Sequence, residues 1–226
     1  MSDPISEEGI AALTGARHPD PFALLGLHQG AEGRWEVRAF LPGAREVAVF
    51  DAANGQHLAS LQQRAGTAFF HAPVPRRRNA FDYTLDVTWD SGPRTRMADP
   101  YAFGPLIADE DLHYLHEGTH RRPYWVLGAH PLQLPHGAAM VNGVRFAVWA
   151  PNASRVSVVG DFNQWDGRRH PMRSRGASGV WELFVPDVRV GDRYKFELRD
   201  RDGQVLPLKA DPYARATELR PATASR

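Results

Sequence analysis

Phe146-Ala147-Val148-Trp149-Ala150-Pro151-Asn152-Ala153-Ser154-Arg155-Val156-Ser157-Val158 decides the fold of this chain, because it has an earlier partner. That partner is Val37-Arg38-Ala39-Phe40-Leu41-Pro42-Gly43-Ala44-Arg45-Glu46-Val47-Ala48-Val49. Each is an alternating apolar run, a proline-bearing turn and a second alternating run. The copies also close alike, on Ala98-Asp99-Pro100-Tyr101-Ala102 and Ala210-Asp211-Pro212-Tyr213-Ala214. A block of about 70 residues therefore occurs twice at a shift of about 110 positions, a spacing of whole domains rather than solenoid units.

Alternation at period two sends successive side chains to opposite faces of a sheet. In the second copy Val144, Phe146 and Val148 alternate with Arg145 and Ala147, and Val156 and Val158 with Arg155 and Ser157. Strands are predicted to follow over 180–185 and 194–198, between the turn signals Pro151-Asn152, Asp166-Gly167, Ser178-Gly179 and Asp202-Gly203. The first copy predicts strands over 35–40, 47–50, 68–72 and 81–87, with hairpin signals at Asn54-Gly55 and Ser91-Gly92. The expected class is all-β: two tandem immunoglobulin-like antiparallel β-sandwiches, each standing independently. A short N-terminal helix at Ile10-Ala11-Ala12-Leu13-Thr14-Gly15 and a partly helical linker complete it. The expected division is 1–110, a linker over 111–135, and 136–226.

The 226 residues suffice for two separate cores. With 27 Lys and Arg against 26 Asp and Glu, no field favours nucleic acid, and Arg76-Arg77-Arg78 reads as a solvated hairpin tip. The chain has no cysteine, which removes disulfides and thiol chemistry and fits a reducing compartment. The polar start Met1-Ser2-Asp3-Pro4-Ile5-Ser6-Glu7-Glu8 lacks a secretory pattern, and no stretch approaches a membrane span. A soluble, cytoplasmic protein without a membrane partner is expected.

Gly160-Asp161-Phe162-Asn163-Gln164-Trp165-Asp166, with Tyr194-Lys195-Phe196 and the Asp202-Gly203 hairpin, resembles the family 48 carbohydrate-binding modules, β-sandwiches associated with α-glucan enzymes. The opening His18-Pro19-Asp20-Pro21-Phe22-Ala23-Leu24-Leu25-Gly26-Leu27-His28 extends the likeness. So do Tyr124-Trp125-Val126-Leu127-Gly128-Ala129-His130 and Leu208-Lys209-Ala210-Asp211-Pro212-Tyr213-Ala214. Together they resemble the N-terminal half of bacterial glycogen branching enzymes over nearly the whole chain. In that family a catalytic α-amylase-type barrel follows, and it supplies the catalytic carboxylates. No barrel pattern occurs in these residues, so the resemblance implies no catalytic residue and no cofactor here, and a chain silent on its own.

A sugar ring presents C–H bonds on its faces and hydroxyls at its rim, so binding needs an aromatic platform with fixed polar groups beside it. Trp165, Lys195 and Asn163 are the candidate glucan-binding residues: Trp165 as platform, Lys195 as donor, Asn163 as donor and acceptor. Lys195 should face away from the core that Tyr194 and Phe196 enter. The alternatives stay open: Trp165 packed on its own sandwich or on the barrel, Asn163 and Asp161 bracing the turn, Lys195 merely solvated. Gln204-Val205-Leu206 lacks the second platform that the module family typically carries near this hairpin, so weak binding of α-1,4-glucan or glycogen is expected. The first copy has Phe50-Asp51-Ala52-Ala53-Asn54-Gly55 at the platform loop, without tryptophan, which favours a structural role.

Asp109, Glu110 and Asp111 are neighbours rather than opposed carboxylates and suit a solvated linker. His113, His116 and His120 lack a recognised ligand partner, so no metal is expected. His18, Asp20 and His28 suit bracing of the N-terminal segment. Trp181 and Phe184 have opposite parity, so one faces the core and the other is exposed or covered by a neighbouring domain. The expected function is the non-catalytic N-terminal part of a branching enzyme, positioning glucan and influencing transferred chain length. The alternative is a free-standing α-glucan-binding or scaffold protein.

Overall fold

A computed structural model describes residues 5–30 and 33–226. Met1 to Pro4, where the polar start was read, lie outside the described residues. Helix α1 (Glu7–Thr14) forms where predicted, capped by Ser6, whose hydroxyl accepts from Gly9 N at 3.0 Å. Strands β1 (Gly26–Gln29), β2 (Trp35–Phe40), β3 (Ala44–Asp51), β4 (His57–Gln63), β5 (Phe69–Pro73), β6 (Tyr83–Trp89) and β7 (Arg94–Ala98) follow. They hydrogen-bond antiparallel in the order β1-β2-β5-β4-β3-β6-β7. β4 joins the two halves, because His57 to Leu61 pair with β3 while Gln62 and Gln63 pair with β5. The halves enclose one core: Val37, Ala39, Phe70 and Ala72 meet Val47, Val49, Leu85 and Val87.

Helix α2 (Asp109–Glu117) leads to β8 (Gly128–His136), β9 (Ala139–Trp149), β10 (Arg155–Gly160), β11 (Arg173–Ser174), β12 (Val180–Pro186) and β13 (Tyr194–Arg199). The order β11-β12-β9-β8 repeats β4-β5-β2-β1, and β10-β13 repeats β3-β6. Strand pairing begins at Gly128, within the stretch expected as linker.

The closing Ala-Asp-Pro-Tyr-Ala now has a physical reason. Asp99 accepts Tyr83 Oη–H at 2.6 Å and Tyr101 N–H at 3.0 Å. Asp211 repeats the clasp with Tyr194 Oη at 2.6 Å and Tyr213 N at 2.8 Å. Both carboxyls are pushed up by burial, Asp99 to about 6. The duplication also reaches further back than the strands first suggested. Short helical turns at Pro21–Ala23 and Pro123–Trp125 precede β1 and β8, and His28 and His130 bond Leu25 O and Leu127 O at 2.9 and 3.0 Å.

The expected independence of the sandwiches is corrected by their packing. Ile10, Leu13, Leu25, Phe40, Phe69 and Tyr101 of the first unit belong to the same buried cluster as Phe146, Val158, Trp181 and Phe196 of the second. Each such side chain withdrawn from water contributes about 1.5–3 kcal/mol, so the joint core holds the units together. Polar contacts fix the registry: Tyr101 Oη donates to Pro171 O at 3.2 Å, Arg169 to Pro42 O at 2.7 Å, and Arg199 Nε to Ala16 O at 2.7 Å. The β8–β9 hairpin tip docks on the first unit through Gly137 N–H to Asp82 Oδ2 at 2.8 Å and Ala138 N–H to Ala52 O at 3.3 Å. Gly137 has φ +61°, and a Cβ there would stand 2.6 Å from Ala52 O, so only glycine fits this contact.

Trp181 enters the joint core, whereas Phe184 packs on Phe103 with ring centroids 4.8 Å apart. The opposite-parity residue is thus covered, by the segment that follows β7.

Candidate functional site

The Gly160-to-Asp166 segment leaves β10 and folds back through a short helical turn over Asp161–Asn163. Asn163 is 2% exposed, and its amide closes this turn. Its Oδ1 accepts Gly160 N–H at 2.8 Å, and its Nδ2 donates to Val158 O at 2.9 Å and meets His170 Nδ1 at 2.8 Å. Of the two readings of Asn163, this geometry matches the one in which it braces the turn. With its donors and acceptor engaged inside the fold, Asn163 shapes the loop and offers nothing to a ligand.

Phe162 stacks on core residue Phe146 at 5.8 Å, which anchors the loop from within. Gln164 and Trp165 then take left-handed backbone, φ 59° and 60°, and the indole is carried to a partly exposed position. Trp165 Nε1–H donates to Asp161 Oδ1 at 3.1 Å. Arg193 grips the same carboxylate, through Nε at 2.8 Å and Nη2 at 3.0 Å, and holds it below the usual carboxylate range. Arg193 also reaches Glu218 at 3.1 Å. The orientation of Trp165 is thus set through Asp161 and Arg193 within the fold itself.

Beneath the loop lies a second support. Arg155, 1% exposed, projects on the outer face of β10 and donates to Glu197 at 2.9 Å, to Ser157 Oγ and to Gly167 O. Ser157 Oγ also donates to Gly167 O at 2.6 Å. The loop therefore crosses the outer face of β10 and β13.

Lys195 pairs with Val159 across that face and lies opposite in direction to buried Tyr194 and Phe196, as the alternation required. Its Nζ donates to Thr223 Oγ1 at 2.6 Å. It stands between Arg193, just before β13 and bound to Asp161, and Glu197 on β13, bound to Arg155. Trp165 and Lys195 consequently share one face, and Asn163 does not join them. Sequence reading named Asp161 only as a brace of the turn and missed Arg193 and Arg155. A usable signal existed for Arg193, which has the same strand parity as Lys195.

The corresponding loop of the first unit is held differently. Asp51 accepts Ala53 N–H at 2.7 Å and pairs with Arg77, while Phe50 lies under Arg96, 4.1 Å from its guanidinium carbon. Arg77 of the basic run is therefore pinned rather than free. No aromatic side chain of that loop is left as a platform.

Asp109, Glu110 and Asp111 form the first turn of α2, with Asp109 paired to Arg175 at 3.0 Å. His113 faces Glu117 at 3.4 Å and His120 faces Asp111 at 3.0 Å. Among the described residues no group of three or more His, Cys, Asp or Glu is placed to hold a metal ion. Nor is any helix among them long and apolar enough to cross a membrane.

Residues 6–101 match the family described as alpha-1,4-glucan branching enzyme GlgB, N-terminal domain. Residues 126–214 match Carbohydrate-binding module 48 (Isoamylase N-terminal domain). Among solved structures the chain is similar to pullulanase from Anoxybacillus sp. LM18-11, at 15% identity and TM-score 0.34, over 84% of this chain and 26% of that one. The same pullulanase complexed with maltotetraose gives 14% identity and TM-score 0.36 over 84% and 24%. Ligand-free PulA from Klebsiella pneumoniae gives 16% and 0.31 over 84% and 20%. The chain spans about a quarter of the length of these structures or less.

Proposed function

We infer the function of this chain from its membership of the N-terminal region of the branching-enzyme family, a branching-enzyme N-terminal domain followed by a carbohydrate-binding module 48. It is a carbohydrate-binding, non-catalytic part of a branching-enzyme-like protein. In the whole protein a catalytic barrel cleaves an α-1,4 linkage and transfers the chain to a 6-hydroxyl. These sandwiches position the glucan and influence the length transferred. The setting is the cytoplasm, and the working division is an N-terminal unit over 1–110 and a module to 226 whose sheet opens with β8 at Gly128 rather than at 136.

One observation carries the reading: the Trp165 indole, partly exposed and fixed through Asp161 and Arg193, on the face that also bears Lys195. A pyranose stacked on the indole meets a ready orientation, which lowers the ordering cost of binding. Arg193 and Lys195 supply donors for ring hydroxyls, and Asp161 an acceptor. Titrating maltoheptaose into the wild type and Trp165→Ala tests it. Binding by the wild type that weakens in the variant is expected, and equal binding by both overturns the role of Trp165. Iodine staining of amylose should stay unchanged by the purified chain.

A scaffold reading has one observation in its favour. Trp149 is 56% exposed at the end of β9, a surface on which a following barrel would pack.

A further inference from the structure

We propose a second α-glucan contact, remote in sequence from Trp165 and built on Trp125. Between α2 and the turn Pro123–Trp125 lies an open cleft of about 640 Å³, lined by Glu110, Asp111, Tyr114, His120, Arg122 and Trp125 among others. Trp125 is 59% exposed and Tyr114 41%. Tyr124, 53% exposed, adjoins Trp125 with ring centroids 6.1 Å apart, and exposed rings grouped in this way, unlike scattered single ones, mark a contact site.

The duplication isolates what Trp125 is for. The turn before β8 is the copy of the turn before β1, and the position of Trp125 corresponds to Ala23. Val126 and Leu127, like Leu24 and Leu25, are buried and anchor the turn. Arg145 adds a hydrogen bond to Val126 O at 2.9 Å. Alanine therefore suffices for the architecture, and the indole at 125 is surplus to it. The neighbouring position makes the same contrast: Phe22 of the first copy packs on Tyr101 with centroids 5.0 Å apart, whereas Tyr124 stays exposed.

The polar groups are fixed before a ligand enters. Arg122 lies over one face of the indole, 4.4 Å from the centroid to its guanidinium carbon, and its backbone N–H donates to His120 Nδ1 at 3.1 Å. His120 Nε2 meets Asp111 Oδ1 at 3.0 Å, and Tyr114 Oη–H donates to Glu110 at 3.4 Å. Aromatic surface beside carboxylate acceptors and guanidinium donors suits a neutral, hydroxyl-rich ring whose faces are apolar. The lining is mostly polar or charged around its aromatic rings, the mix that a sugar's hydroxyl rim and apolar ring faces match. The sugar's identity as α-1,4-linked glucose rests on the proposed function above; the site itself does not.

The test uses the chain as it stands, with maltoheptaose as ligand and cellohexaose as control, in calorimetric titrations of wild type, Trp125→Ala and Trp165→Ala. Trp125→Ala should keep the wild-type melting temperature, because its twin position is already alanine. It should lose one of two binding events, or weaken the apparent Kd by about tenfold. The Trp125 indole N–H resonance should shift on addition of maltoheptaose and stay still with cellohexaose. Binding unchanged in Trp125→Ala but abolished in Trp165→Ala overturns this site and leaves the proposed function standing. Loss in Trp125→Ala with none in Trp165→Ala supports this site and removes the role of Trp165. A wild type that does not bind maltoheptaose overturns both.

Discussion

Replacing Arg155 by Met removes the support beneath the Trp165 loop while keeping most of the side-chain volume. The guanidinium is 1% exposed and bonds Glu197, Ser157 and Gly167 O. Breaking a buried charged pair by removing one partner costs about 3–5 kcal/mol. Three features put this case at the lower end. Ser157 still donates to Gly167 O at 2.6 Å, so that carbonyl is not orphaned. Arg155 Nε has no partner, and burial already disfavours its charge. Arg199 stands opposite it across the strand pair, a like charge that the substitution relieves. The methionine stem fills the space of the arginine stem, so little cavity cost is added. The expected loss is about 3 kcal/mol, a fall in melting temperature of roughly 6–12 °C for a chain of this size. Urea unfolding measures the first and calorimetry the second, and a maltoheptaose titration should weaken in parallel as the platform loosens. Stability within about 1 kcal/mol of wild type, with unaltered binding, would refute the view that Arg155 holds this loop.

Two further outcomes follow from the joint core and from the cavity between the units. Gly137→Ala introduces left-handed strain and a clash with Ala52 O, about 2–4 kcal/mol in sum, which undocking of the hairpin tip relieves. Amide exchange at Gly137 and Ala138 should accelerate while that of β12 does not; equal protection in wild type and variant would contradict the docking argument. Acid stability depends on two residues lining that cavity, His170, pushed down to about 3 by desolvation and Arg169, and Asp99, pushed up to about 6 by burial. Below pH 6.5 the unfolded chain binds a proton at His170 that the native chain refuses until about 3, so stability falls as pH falls, by up to about 1.4 kcal/mol per unit. Between 6 and 3.8 native Asp99 holds a proton that the unfolded chain releases, which opposes the loss. Asp99→Asn should therefore steepen the decline between pH 6 and 4, and chemical unfolding across that range with an unchanged slope would disprove the coupling.

Strand parity was legible because it depends only on period two: Lys195 points outward, Tyr194 and Phe196 inward, and Trp181 and Phe184 oppositely. Strands of weak intrinsic preference and a proline-bearing edge strand were not. β4, His57-Leu58-Ala59-Ser60-Leu61-Gln62-Gln63, has no β-branched residue and exists through pairing with β3 and β5. β8 carries Pro131 and Pro135, which an edge strand tolerates and a sequence pattern reads as loop. At the site, residue type was legible and direction was not. Asn163 has the chemistry of a sugar ligand, but three hydrogen bonds turn it inward, and their partners lie up to seven residues away.

The two copies agree where architecture requires it and differ where chemistry is on offer. The Tyr–Asp clasps, the histidine bonds before the first strand and the strand order recur in both. The loop after the third strand and the turn before the first strand do not. At each of these places the second copy presents a tryptophan, Trp165 or Trp125. The first copy has Ala23 at the Trp125 position, and its platform loop has no tryptophan but closes through Asp51 paired to Arg77. The first unit shares its core with the second, so loosening either unit exposes apolar surface of the other.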